Sequence, residues 1–107
     1  MNFSVSKNAF YQGLTHVNKA ITVNSPLPQL SGIKIDVFEN QIILTASDSD
    51  LSIELKLFSS DADNKLVIDE IGSVVIDSRY LLDIVRKLED EVVHFELIDG
   101  SLVKIFD

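Results

Sequence analysis

The sequence contains no cysteine and no tryptophan, two prolines, four glycines and two histidines, and it sets nine basic residues against seventeen acidic ones. Without cysteine there is neither a disulfide framework nor thiolate chemistry, and two histidines far apart in sequence, His16 and His94, argue against a structural zinc site. No apolar run approaches the roughly 20 residues of a membrane span. The opening Met-Asn-Phe-Ser-Val lacks the basic and apolar regions of a secretory signal, so the cytoplasm is the default location. There is no glycine-rich phosphate loop, no His-Glu-x-x-His pair and no nucleophile beside a plausible base, so neither catalysis nor a cofactor nor a metal is expected. The net charge of −8 is a first objection to a polyanionic partner, because a phosphate-binding surface should be basic.

What is present fits one modest domain. A chain of 107 residues, 46% apolar and 24% charged, has the make-up of an ordinary globular protein. Its organising stretch runs from Val74 to Leu88, a short strand leading straight into an amphipathic helix. The same design opens the chain. A shift of 71 positions puts Phe3 on Val74, Val5 on Ile76, Ser6 on Asp77, Phe10 on Leu81, Leu14 on Val85 and Val17 on Leu88. A shift of 60 lays residues 35–43 on residues 95–103, and each stretch holds two strand-forming runs around a turn, Glu39-Asn40 or Asp99-Gly100. The unit is strand, helix, hairpin, used twice. The first copy spans residues 1–58 and the second 66–107, with the acidic linker 59–65 expected to be the most mobile part of the chain.

Helices are expected over residues 7–22 and 78–88. Ser6 can cap the first by accepting a backbone N–H, and Phe10, Leu14, Val17 and Ile21 form its apolar stripe. Gly13 in its interior costs about 1 kcal/mol relative to Ala, which implies either a close neighbour or a tolerated loss. Asp77 or Ser78 caps the second helix, whose end runs into Glu89-Asp90-Glu91, the wrong charge for a helix C-terminus, so packing is expected to hold it. Leu51, Ile53, Leu55 and Leu57 alternate with polar residues, the pattern of an antiparallel sheet with one wet face. Between strands, Ser47-Asp48-Ser49-Asp50 lacks the glycine and terminal glutamate of a calcium loop and reads as an Asx or Ser turn. The counterpart of the Leu51–Leu57 strand in the second copy falls at positions 111–117, past Asp107, so a last strand is expected to be missing and residues 102–106 to form an open edge.

The charge is unevenly shared. The two expected helices carry Lys7, Lys19, Arg79, Arg86 and Lys87 against Asp83, a net +4, leaving −12 for the remainder. Such polarity suits a protein that turns one face to a polyanion, although solvated helix faces commonly carry the same residues.

Three stretches in this order and spacing carry a resemblance: Pro26-Leu27-Pro28-Gln29-Leu30, the run from Ile42 to Glu54, and Gly72 to Arg79. Together they resemble the N-terminal domain of the bacterial DNA sliding clamp, the beta subunit of DNA polymerase III, and its Gram-positive members in particular. The resemblance implies an α+β fold of the DNA-clamp type, a pseudo-twofold β-α-β-β(-β) duplication with two helices side by side against antiparallel sheets. It also implies a processivity subunit that closes as a homodimer ring around duplex DNA without reading sequence. Polymerase and clamp loader would bind mainly through a C-terminal domain that this chain lacks. Arg79 matches the family's channel-facing basic residue, and Arg86, Lys87, Lys7 and Lys19 are expected to join it. The commonly basic loop position falls on Asn24, Ala46 stands where glycine is usual, and Gln29 replaces an apolar residue, which marks a divergent member. The competing reading is a small structural or protein-interaction domain that never meets DNA.

Overall fold

A computed structural model describes residues 1–21, 32–48, 50–100 and 102–107. The elements follow in the order β1 (Asn2–Ser6), α1 (Lys7–Asn18), β2 (Gly32–Val37), β3 (Gln41–Ser47), β4 (Ser52–Phe58), a 3-10 turn (Ala62–Asn64), β5 (Val67–Glu70), β6 (Gly72–Asp77), α2 (Ser78–Lys87), β7 (Val92–Ile98) and β8 (Leu102–Phe106). Among the described residues the strands form two antiparallel sheets, ordered β5-β1-β7-β8 and β4-β3-β2-β6, and the helices pack against each other and against the sheets. This is the α+β, β-α-β-β architecture anticipated from the sequence.

The duplication is visible in the pairing. Each copy sends its first strand into the other copy's sheet: β1 pairs with β7, and β6 pairs with β2. Phe3 stands opposite Phe95, and their counterparts at the two sequence shifts, Val74 and Ile35, stand opposite each other as well. The neighbouring pairs obey the same correspondence even in their polar contacts, for Asn2 donates to Glu96 Oε1 and Ser73 donates to Asp36 Oδ1. Ser6 and Asp77 hold matching places as helix caps, accepting from the Ala9 and Arg79 amides respectively.

Past the second turn the correspondence slips by one. The Phe38 amide bonds Gln41 O around the two-residue turn Glu39-Asn40, whereas Ile98 pairs with Leu102 across three residues, so β8 matches β3 at a shift of 61 rather than 60. Asp99 and Gly100 both take positive φ, 52° and 76°, which is how this longer turn reverses the chain. A one-residue slip exchanges the faces of a strand. Leu102, aligned with buried Ile42 at a shift of 60, is therefore exposed, while Val103 and Ile105 face inward.

The core gathers Phe3, Val5, Phe10, Leu14, Val17, Ile33, Ile35, Ile42 and Leu44 of the first half with Leu81, Val85 and Phe95 of the second. Phe3 stacks on Phe95 with ring centroids 5.1 Å apart and meets the edge of Phe10 at 5.9 Å. At Gly13 α1 lies close to a sheet, since a Cβ there would stand 3.0 Å from Leu44 Cδ1 and 3.2 Å from Leu55 Cδ2. The first of the two explanations for that glycine holds.

Several boundaries differ from expectation for physical reasons. The first helix ends at Asn18 rather than near residue 22, because the Ala20 and Ile21 amides bond the carbonyls three residues back, a tightened final turn. Leu51 lies outside β4 and is exposed, so the apolar face of that edge strand begins at Ile53. Residues 59–65, expected to be mobile, are tied down instead. Ser59 donates to Asn40 O through both its amide and its hydroxyl, Asp61 caps the 3-10 turn, and the buried Asn64 amide donates to Phe58 O. Asp48 Oδ1 accepts from the amides of Asp50 and Leu51, both at 2.8 Å, which is the Asx turn anticipated at that acidic stretch. The proline loop, with Asn24, Pro26, Pro28 and Gln29, lies outside the described residues.

A candidate nucleic-acid interface on the second helix

Helix α2 buries Ser78, Leu81 and Val85 and leaves Arg79, Asp83, Arg86 and Lys87 along the opposite side. At about 100° per residue these four charged positions fall within an arc of roughly 100°. The helix forms here because Asp77 caps it, Leu81 and Val85 give it an apolar stripe, and its first turn is free of β-branched residues.

None of the three cations stands alone. Arg79, whose side chain is 80% exposed, reaches back to its own cap with Nε 3.4 Å from Asp77 Oδ1 and a terminal nitrogen 3.3 Å from Oδ2. Arg86 donates to Asp83 Oδ1 at 2.7 Å, and Lys87 donates to the other oxygen of the same carboxylate at 3.0 Å. The electrostatic consequences run in the expected directions. The Arg79 guanidinium holds the Asp77 carboxyl below the usual carboxylate range, and hydrogen bonds from Arg86 and then Lys87 do the same for Asp83. Those carboxylates in turn raise Arg79 and Arg86 above the ordinary guanidinium value. The exposed α2 face with its cap therefore carries three positive and two negative groups, a net +1.

Lys7 and Lys19 have other surroundings. Lys7 begins α1, but its ammonium donates to Arg86 O at 3.1 Å and to Leu88 O, so it caps the C-terminus of α2 rather than extending toward solvent. Sequence reasoning placed Lys7 with the surface cations because helix contacts between distant segments leave no mark in local periodicity. That ammonium also offsets the acidic sequence after the helix, whereas the Asp107 carboxylate adds a negative charge there and is held by the Glu89 and Asp90 amides, which donate to it at 2.8 and 3.2 Å. Those two amides hold Asp107 below the usual carboxylate range. Lys19 lies one residue beyond the last helical position of α1, exposed and without an ion pair among the described residues. With α1 ending at Asn18, the two observed helices carry +3 rather than +4, and the rest of the chain −11. Asn24 falls outside the described residues.

Among the described residues neither histidine meets a carboxylate in a cleft. His94 stacks on Phe106 with centroids 5.0 Å apart, and the shallow depressions bordered by His16 are lined by Tyr11, Gln12, Gly13, Leu55 and similar uncharged groups together with Lys19. Among the described residues no three metal-ligating side chains come together, and no helix is long and apolar enough to cross a membrane. Beside the charged arc, Ile84 joins Ile76, Val103, Lys104 and Ile105 in a largely apolar recess of about 460 Å³ between α2, β6 and the edge strand β8.

Comparison with known proteins agrees with this architecture. The family model of the DNA polymerase III beta subunit, N-terminal domain, matches residues 1–106. The beta sliding clamp of Staphylococcus epidermidis is 42% identical over 94 residues, which is 87% of this chain and 25% of that protein. A crystal structure of the DNA polymerase sliding clamp from Bacillus subtilis superposes with a TM-score of 0.91 at 32% identity, covering 98% of this chain and 28% of that one. The DNA polymerase III beta chain from Streptococcus pneumoniae gives 0.89 at 29% identity, covering 98% and 30%. The chain thus spans about a quarter to a third of the length of the relatives it matches.

Proposed function

The chain belongs to the DNA polymerase III beta subunit N-terminal domain family, and from that premise we propose that it forms the first part of a sliding clamp. In this reading the full-length protein closes as a homodimer ring around duplex DNA in the cytoplasm, without catalysis of its own, and keeps a replicative polymerase on its template. Polymerase and clamp loader engage it mainly through the C-terminal domain, and Arg79, Arg86 and Lys87 face the DNA channel with Lys19 contributing from just past the end of α1. Asn24, with no charge, adds little, and Lys7 acts through α2 rather than on phosphate.

The observation that carries this reading is the sidedness of α2, whose three cations share one solvent-facing arc while Leu81 and Val85 hold the core. A sliding protein needs attraction that is weak and indifferent to sequence, which mobile Arg and Lys side chains on phosphate provide. Ring closure is assigned to the side of β8, where an open strand edge adjoins the apolar recess around Ile84. That exposed recess is also what favours the alternative, a protein-interaction module that never meets DNA. One experiment separates them. Arg79→Ala in the full-length protein lowers salt-dependent association with nicked circular duplex on the clamp reading; unchanged association supports the interaction module.

A further inference from the structure

We propose that Asp77 and Asp83 act as built-in rivals of DNA phosphate, each holding α2 cations in place while limiting how strongly they attract the duplex. The inference rests on the reading of α2 as the DNA-facing helix. The geometry supplies its content: Asp83 engages Arg86 and Lys87 through its two oxygens at 2.7 and 3.0 Å, and Asp77 engages Arg79 at 3.3 and 3.4 Å. Every cation of the arc is thereby partnered, and two carboxylates reduce three positive charges to one.

Exposed ion pairs of this kind are weak, so a phosphate can displace either carboxylate readily. The carboxylate then remains beside the phosphate and repels it. Each contact is made easily and released easily, which is what movement along a duplex requires. The plainer role of Asp83 is to stabilise its own helix, since it precedes Arg86 by three residues and Lys87 by four, the favourable order for such pairs. The two roles predict opposite results when the charge is removed, because a loosened helix cannot bind better.

The test is equilibrium binding of the chain to a short mixed-sequence DNA duplex, followed by fluorescence anisotropy across a salt series. Asp83→Asn keeps the side chain's size, and Asp77→Asn keeps a competent N-cap. Asp83→Asn is expected to bind about three- to tenfold more tightly at low salt with a steeper salt dependence, and Asp77→Asn about two- to threefold more tightly, because it frees one cation instead of two. Glu54→Gln, on the solvent face of β4 away from the helices, should leave binding unchanged. The proposal is overturned if Asp83→Asn binds equally or more weakly, if Glu54→Gln tightens binding as much, or if neither wild type nor Asp83→Asn binds at the lowest salt. A combined Arg79→Ala, Arg86→Ala, Lys87→Ala variant separates the two levels. If it weakens binding while Asp83→Asn fails to strengthen it, α2 still faces DNA and only the rivalry is wrong; if it has no effect, the DNA-facing assignment itself fails.

Discussion

The two halves of the domain share a plan and divide the work. In the first, Gly13 lets α1 lie close to Leu44 and Leu55 on β3 and β4, and the polar side of that helix carries Asn8, Gln12, Thr15 and His16 with one cation at its end, Lys19. Seventy-one positions on, the counterpart of Gly13 is Ile84. It lies near Ile105, the counterpart of Leu44, but among the described residues no strand stands where β4 stands in the first half, and Ile84 remains 42% exposed. The same contrast appears where the copies cross. Phe3, Phe10 and Phe95 fill one crossing with aromatic rings, while Val74, Leu81 and Ile35 fill its counterpart with aliphatic groups. One repeat has been spent on packing, and the other presents charge and an open apolar seam. Duplicated architecture therefore does not imply duplicated function, because the side chains at equivalent positions decide what each copy shows to solvent.

That asymmetry can be broken in graded steps. Phe3→Ala should cost about 3–5 kcal/mol in urea unfolding, against about 1–2 kcal/mol for Val74→Ala at the matching position, because the aromatic crossing leaves the larger cavity. Exchanging the residues at the other equivalent pair should be unequal as well. Gly13→Ile gains some helix propensity but forces a branched side chain into Leu44 and Leu55, for a net loss of about 1–3 kcal/mol. Ile84→Gly should cost only about 1 kcal/mol, mostly as propensity, since the site is half open. Lys7→Met should cost about 1 kcal/mol and speed amide hydrogen exchange at the end of α2 while leaving α1 protected. The smallest effect concerns acid. The depressed carboxyls of Asp77, Asp83 and Asp107 contribute stability that is present above the ordinary carboxylate range and is lost as pH falls through their lowered values. Thermal melts should show the Asp107→Asn variant losing less stability than wild type across that acid window.

Periodicity and the repeat made much of this legible. The offsets of 71 and 60 became the register of both crossings, the caps fell on Ser6 and Asp77, and the glycine in α1 marked a close approach. What the sequence concealed was long-range or angular. The slip after Asp99-Gly100 depends on how many residues a turn consumes, and the Lys7 cap depends on two segments 79 positions apart meeting in space. The candidate site was legible as a set of cations but not as a set of pairs, because Asp77 was read only as a cap and Asp83 only as a lone opposing charge. Their partners became evident once Arg79, Arg86 and Lys87 had positions.

The central claim is that attraction for duplex DNA resides on the α2 side and not on the solvent faces of the sheets. The direct measurement compares the salt dependence of duplex binding for Arg79→Ala, Arg86→Ala, Lys87→Ala with that for Lys34→Ala, Lys56→Ala, which removes cations from the sheet face. The account predicts that the helix variant loses about three units of slope in log K against log salt and most of its affinity, with the sheet variant close to wild type. Equal losses in both, or a larger loss in the sheet variant, would contradict it.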